Sequence, residues 1–185
     1  MKLNGKSASP NLIPDPAMDA GMLSCGRTHD GDILRKFYLN PLIWDVQTPD
    51  GGLRAEDVDF DDLASVRHGQ TCIFVSAYFG GRLAGLFMFH QTTTSCYDIH
   101  SALLPDFWGH GIAHDIGKAA CRWMVENTKC QKVTTSVPEF NNPARIMAMR
   151  AGMKVEGCNR SSFMKDGVLY DQLLLGFTKE ELLCQ

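Results

Sequence analysis

SALLPDFWGHGIAHDIGKAACRWMVENT, residues 101–128, is the stretch on which the fold turns. Its first residues continue an apolar β run, and from Ile112 onward its apolar side chains fall at helical spacing. Between the two stand Gly109 and Gly111. A helix that starts this way leaves the N–H groups of its first turn without intrahelical partners and carries partial positive charge there. Phosphates bind at such ends. A backbone that closes on a phosphate must lack side chains where it bends, and glycine allows that. WGHGIA, residues 108–113, therefore reads as a phosphate cradle. The alternative is a tight turn that needs glycine for geometry alone. The stretch is not a P-loop, and no third glycine follows Gly111 as a dinucleotide fingerprint requires.

Working outward, SCYDIHSALL (95–104) has strand character. Alternation places Cys96, Asp98, His100 and Ala102 on one face and Tyr97, Ile99, Ser101 and Leu103 on the other. TCIFVSAYF (71–79) and LAGLFMFHQ (83–91) are two further strands joined by GGR, an antiparallel hairpin. Residues 31–46 predict a helix broken near Asn40-Pro41. Residues 47–70 read as polar, acidic loop with one short helix. Downstream come a helix over 112–127, a strand at 132–138 and a helix over 141–152. That last helix opens on an Asn cap, has Pro143 near its start and stops at Gly152. Two strands, 153–164 and 168–177, are joined by the KDG turn. The predicted order is helix, β, β, β, α, β, α, β, β: an α+β domain in three layers, α/β/α, with a mixed sheet.

The chain has 185 residues and is 44% hydrophobic, which fits one domain over 31–185 behind a flexible arm, 1–30. The arm carries Pro10, Pro14 and Pro16 and lacks the apolar core of a signal peptide. A net charge of −3 argues against a nucleic-acid partner. No apolar run reaches the roughly 20 residues that span a bilayer. Seven cysteines without a CxxC pair, and six histidines without HxxxH, predict no disulfide framework and no metal site. Reduced thiols in a cytoplasmic protein are the expectation.

The same residues resemble the GNAT family of acetyl-CoA-dependent N-acyltransferases. Its signature is Gln or Arg, two residues, Gly, one residue, then Gly or Ala; Trp108, Gly109, His110, Gly111, Ile112 and Ala113 stand in that place, with Trp where Gln or Arg is usual. A Trp within P-x-x-W-G-x-G is similar to the branch that acetylates ribosomal-protein N-termini. A second match is independent of the first: Asn141 lies eleven residues before Gly152-Met153, with Ala144 at a small position, then VEG at 155–157. IHSALLP, SVPEFNNPA and AGMKVEG are most similar to GNAT proteins encoded in phage genomes. The resemblance covers residues 71–178.

The resemblance implies a mostly antiparallel sheet whose fourth and fifth strands, here 95–104 and 132–138, splay apart around the pantetheine arm of acetyl-CoA. It implies that Leu103 and Leu104 offer main-chain groups to that arm, that the 109–114 turn, His114 included, holds the pyrophosphate, and that Asn141 contacts pantetheine or a water. Arg145 would reach the adenine nucleotide, and His110 would cap a phosphate or simply face solvent. Asp98 matches the family's strand-four carboxylate, and His100 titrates near neutrality, so either would take the proton from an acceptor amine. Asn141 belongs with them as a candidate catalytic residue. The tyrosine that many members place seven residues after the Asn is here Ala148, which also leaves open a domain that binds CoA or a protein partner without turnover. The acceptor is an unknown amine. The acidic stretch EDVDFDD (56–62) reads either as a draw for cationic substrates or as a solvated loop, and the C-terminal hairpin as an edge for a homodimer.

Overall fold

The apolar runs at 72–79 and 82–91 show no polar alternation because the sheet they build is covered on both faces. The structure, a computed structural model, describes residues 22–65 and 72–184. The chain starts with β1 (Leu23–Arg27), α1 (Gly31–Tyr38), α2 (Pro41–Gln47) and α3 (Phe60–Ala64). It continues through β2 (Cys72–Phe79), β3 (Arg82–Gln91), β4 (Cys96–Leu103) and α4 (Ala113–Asn127). It ends with β5 (Lys132–Pro138), α5 (Asn142–Arg150), β6 (Lys154–Lys165), β7 (Val168–Thr178) and α6 (Lys179–Leu183). The strands form one sheet in the order β1-β2-β3-β4-β5-β7-β6. All neighbours are antiparallel except β4 and β5, which are parallel.

Period-two alternation sorts the side chains into two cores. Ile73, Val75, Phe87, Phe89 and Ile99 pack with Ile116, Ala120 and Met124 of α4 on one face. Phe74 and Leu86 pack with Leu34, Phe37, Ile43 and Phe60 of α1, α2 and α3 on the other. The expected α+β architecture in three layers is what the chain adopts. The helix break at Asn40-Pro41 has a local cause: Asn40 accepts from the N–H of Leu42 and caps α2, and Pro41 sits in its first turn.

Two elements were not foreseen. Residues 23–27, assigned to the arm 1–30, form β1 and pair with β2 from Leu23↔Phe79 to Arg27↔Val75. The polar sequence LSCGR has no alternation to reveal it; its partner strand supplies the order. The rest of the arm, 1–21, lies outside the described residues. The added strand also makes 96–103 the fourth in the chain, as the GNAT resemblance requires. Helix α6 is the second. Thr178 accepts from the N–H of Glu181 while Glu181 accepts from that of Thr178, a capping box.

Candidate active site

The parallel ladder between β4 and β5 is short. It joins Cys96–Asp98 to Lys132–Thr134 and then stops, although β4 runs on to Leu103 and β5 to Pro138. Beyond Asp98 and Thr134 the two strands diverge, so one edge of β4 faces a gap inside the sheet. The gap opens into a cavity of about 120 Å³. Ile99, Ser101, Phe87, Gly117, Ala144 and Ala148 line it on the α4–α5 side, and His100 and Gln47 on the side of the N-terminal helices.

The free edge of β4 is answered by side chains rather than by a strand. Thr135 Oγ1 donates to the carbonyl of Ile99 at 3.1 Å, Gln47 Nε2 to that of Ser101 at 2.7 Å, and Trp108 Nε1 to that of Leu103 at 2.8 Å. These are alternate residues, and the carbonyls of alternate residues point to the same side of a strand. Leu103 thus turns its carbonyl into the gap. The backbone groups of Leu104 are paired within the chain: its N–H donates to Ala84 and its carbonyl accepts from Phe107, both at 2.9 Å.

At the open end of the gap the chain makes its glycine turn. Gly109 and Gly111 have φ of +76° and +75°, a region that side chains disfavour. A Cβ built at either position meets nothing within 4 Å, so it is backbone conformation and not crowding that calls for glycine. Ile112 precedes the first turn of α4 without a side-chain cap. Among the described residues, the N–H groups of Gly109, His110, Gly111 and Ile112 donate to no protein acceptor. With those of Ala113 and His114 they form the row of donors at a helix start that an anion needs. Ile112 itself is buried in the core, His110 is exposed, and His114 lies 3.5 Å from Asp115. Arg145, exposed on the first turn of α5, forms no ion pair among the described residues. Asn141 caps α5 by accepting from the N–H of Ala144 at 3.2 Å and also lines the cavity.

Asp98 and His100 share the face of β4 that looks toward α1 and α2, as alternation requires. Asp98 accepts from Thr134 Oγ1 at 3.0 Å and lies 3.4 Å from His100 Nε2. His90 sits opposite Asp98 on β3. Burial raises the Asp98 carboxyl above its ordinary value of 3.8, opposed by His100, by the Thr134 hydrogen bond and by His90. The two candidates are therefore not equivalent. His100 lines the cavity and Asp98 stands behind it, in the last residue pair before the strands part.

Three residues at the site escaped the sequence reading. Gln47 sits in the last turn of a helix and Thr134 and Thr135 in an ordinary strand, so nothing local marks them. Ala148 is buried against the cavity, 5% exposed, and brings only a methyl group where the resemblance places a tyrosine. Cys121 also lines it, but full burial pushes its thiol well up and keeps it protonated. No three His, Cys, Asp or Glu among the described residues come together to hold a metal. No helix among them is long and apolar enough to cross a membrane.

Comparison with known proteins agrees with this geometry. Over 85 residues the sequence is 29% identical to the SPbeta prophage-derived uncharacterized N-acetyltransferase YokL of Bacillus subtilis (strain 168), covering 46% of this chain and 48% of that protein. The match therefore spans about half the length of that curated relative. Among solved structures, the spermidine N-acetyltransferase from Vibrio cholerae in complex with CoA and spermine has a TM-score of 0.75 at 14% identity, covering 88% of this chain and 99% of that one. Mycobacterium smegmatis RimJ in complex with CoA-disulfide scores 0.64 at 20% identity, covering 86% and 82%. The Salmonella typhimurium acetyl transferase that modifies the N-terminal serine of a 50S ribosomal subunit protein scores 0.70 at 17% identity, covering 90% and 98%. These likenesses establish the GNAT fold. Residues 60–183 match the family described as Protein of unknown function (DUF2824), and the chain belongs to that family, built on a GNAT acetyltransferase fold with a splayed β4–β5 pair and a glycine turn at the start of α4.

Proposed function

We propose that this chain is an N-acetyltransferase that moves an acetyl group from acetyl-CoA to a primary amine. The observation that carries the reading is the edge of β4 beyond Asp98: its Ser101 carbonyl lies at the cavity beside His100, and its Leu103 carbonyl is held by Trp108, the residue before the glycine turn. When bound, acetyl-CoA supplies an activated thioester. The residues present fit it. The backbone N–H groups of the glycine turn suit a diphosphate, and Arg145, exposed on the first turn of α5, is the cation offered to the nucleotide. The carbonyls of Ser101 and Leu103 suit amide donors, once Gln47 and Trp108 release them.

An amine attacks only when neutral, so a base must stand at the acceptor end of the gap. His100 has the position, and Asp98 lies against its Nε2. With the proton on Nε2 facing the carboxylate, Nδ1 is the basic atom, which is how a carboxylate orients a histidine elsewhere. The nitrogen–carbon bond forms as the carbon–sulfur bond breaks, the amine proton passes to His100, and the thiolate leaves as CoA. Asn141 holds the start of α5 at the cavity wall. Ala148 supplies no proton to the leaving sulfur, which favours a second reading, a CoA-binding module without turnover. Calorimetry with acetyl-CoA followed by thiol release in the presence of an amine panel separates the two. Binding with release supports the enzyme, binding without release supports the module, and no binding refutes both.

A further inference from the structure

Resting on that transferase reading, we infer that the acceptor carries its primary amine on an apolar, ring-sized body and not on a polycationic chain. A second cavity, of about 200 Å³, adjoins the first on the side of the N-terminal helices. Gln47 and His100 line both, so they mark the passage between thioester and acceptor. Past them the walls are Tyr38, Trp44, Met88 and Leu53, with no carboxylate among the described lining residues.

The aromatic walls are not a cage for an ammonium ion. Tyr38 stacks one face on Phe60 (5.8 Å, 16°) and meets Trp44 edge to face (5.4 Å, 81°), so its ring is engaged by neighbours. Its hydroxyl lies 3.7 Å from the Met88 sulfur, which leaves an apolar surface toward the cavity. The floor is therefore greasy, and Leu53, 73% exposed, stands at the mouth.

The acidic groups near the mouth are turned to internal use. Asp45 pairs with Lys165 at 2.8 Å, Arg54 takes Asp57 at 2.8 Å and Glu56 at 3.5 Å, and Asp61 pairs with Arg35. Asp59 caps α3. Asp50 accepts from the N–H groups of Asp166 and Gly167 and ties the loop that roofs the cavity to the β6–β7 hairpin. A polyamine would bring several charges past described walls that hold no carboxylate, toward an Asp98 already beside two histidines. Desolvating the surplus charges without partners is unfavourable. An arylalkyl amine brings one charge, which it loses to His100, and fills the apolar wall.

The same chemistry comes from a free amine or from a peptide beginning with an apolar residue, and the experiment takes both. Acetyl-CoA binding to the full chain is first measured by calorimetry. Turnover is then compared for 2-phenylethylamine, a phenylalanine-leading tripeptide amide and spermidine. We expect kcat/KM at least about tenfold higher for one of the first two than for spermidine, the usual range for an apolar group fitted to a pocket. Leu53→Asp should lower that preferred rate by about tenfold or more and narrow the gap to spermidine, with acetyl-CoA affinity unchanged. Spermidine turned over as well as either apolar amine, spermidine turned over alone, or an unchanged kcat/KM in Leu53→Asp would overturn the inference and leave the transferase reading standing; acetyl-CoA bound with no amine acetylated would overturn it in favour of the module. No acetyl-CoA binding would instead remove the transferase reading itself.

Discussion

Replacing Gly111 by alanine tests the glycine turn with a matched control. At φ +75° an L-residue is disfavoured by roughly 1–2 kcal/mol. Loss of chain freedom in the unfolded state offsets part of that, by about 0.4–1 kcal/mol. The added Cβ meets nothing within 4 Å, so no packing penalty joins in. The net loss is about 1 kcal/mol, or roughly 2–4 °C in Tm for a domain of this size. Gly81, in the β2–β3 turn, has φ +73° and equally empty surroundings. Gly81→Ala should therefore lose the same stability while lying at a different place in the chain.

Binding should separate the two. If the turn cradles a diphosphate, a methyl group at 111 holds it off the backbone, and one charge-assisted hydrogen bond lost is worth about 1.5–3 kcal/mol. That is about a 10- to 150-fold rise in Kd for acetyl-CoA. Gly81→Ala should leave Kd within about twofold, since distant sites add independently. S-acetylpantetheine, which lacks the diphosphate, should bind parent and Gly111→Ala alike. Calorimetry for affinity and thermal unfolding for stability read the two effects apart. An acetyl-CoA Kd unchanged in Gly111→Ala, with the melting loss as expected, would mean that the diphosphate lies elsewhere and that the glycines serve the turn alone.

Other outcomes follow from the same geometry. Asp98→Asn keeps an acceptor for Thr134 and removes a carboxyl whose folded value is raised mainly by burial, so the parent's relative stability is present below about pH 3.8 and is lost as pH rises through the raised value. The variant should lack that fall and be as stable as the parent or more so at neutral pH in urea titrations, while its turnover drops by about 10²-fold or more; a parallel loss of stability would make Asp98 a structural residue. Trp108→Phe deletes the donor to Leu103, and in the parent acetyl-CoA should displace that bond and shift Trp108 emission; an unchanged spectrum on saturation would detach Trp108 from the arm's path. Thr178→Ala breaks the capping box of α6 and should cost about 1 kcal/mol without changing acetyl-CoA affinity.

How much of this was legible depends on where the physics is local. The glycine turn, the helix break at Asn40-Pro41, the Asn141 cap and the two hairpins act within a few residues, and the sequence shows them. The pairing of Asp98 and His100 on one face follows from period two alone. The capping box of α6 was present as Thr178-x-x-Glu181 but was hidden by the apolar strand that runs into it. β1 had no signal of its own, because LSCGR becomes a strand only by adding to the edge of β2.

The site residues that were missed are missed for one reason. Gln47, Thr134 and Thr135 act across sequence separations of 54, 36 and 36 residues, through partners that no window on the chain contains. Their roles come from the ending of a ladder. Had β4 and β5 stayed paired past Asp98 and Thr134, the carbonyls of Ile99 and Ser101 would have met backbone donors, and there would be no opening between the two cores. Because the ladder stops, those carbonyls need side-chain donors, and the donor for Ser101 comes from α2, on the side of the N-terminal helices. Gln47 therefore links the two cavities, since it lines both. On the proposed reading, acetyl-CoA alone should then alter the acceptor cavity before any amine arrives, and Gln47→Ala should tighten acetyl-CoA binding by removing the competitor. Calorimetry showing weaker binding in Gln47→Ala would mean that the amide supports the arm instead of yielding to it.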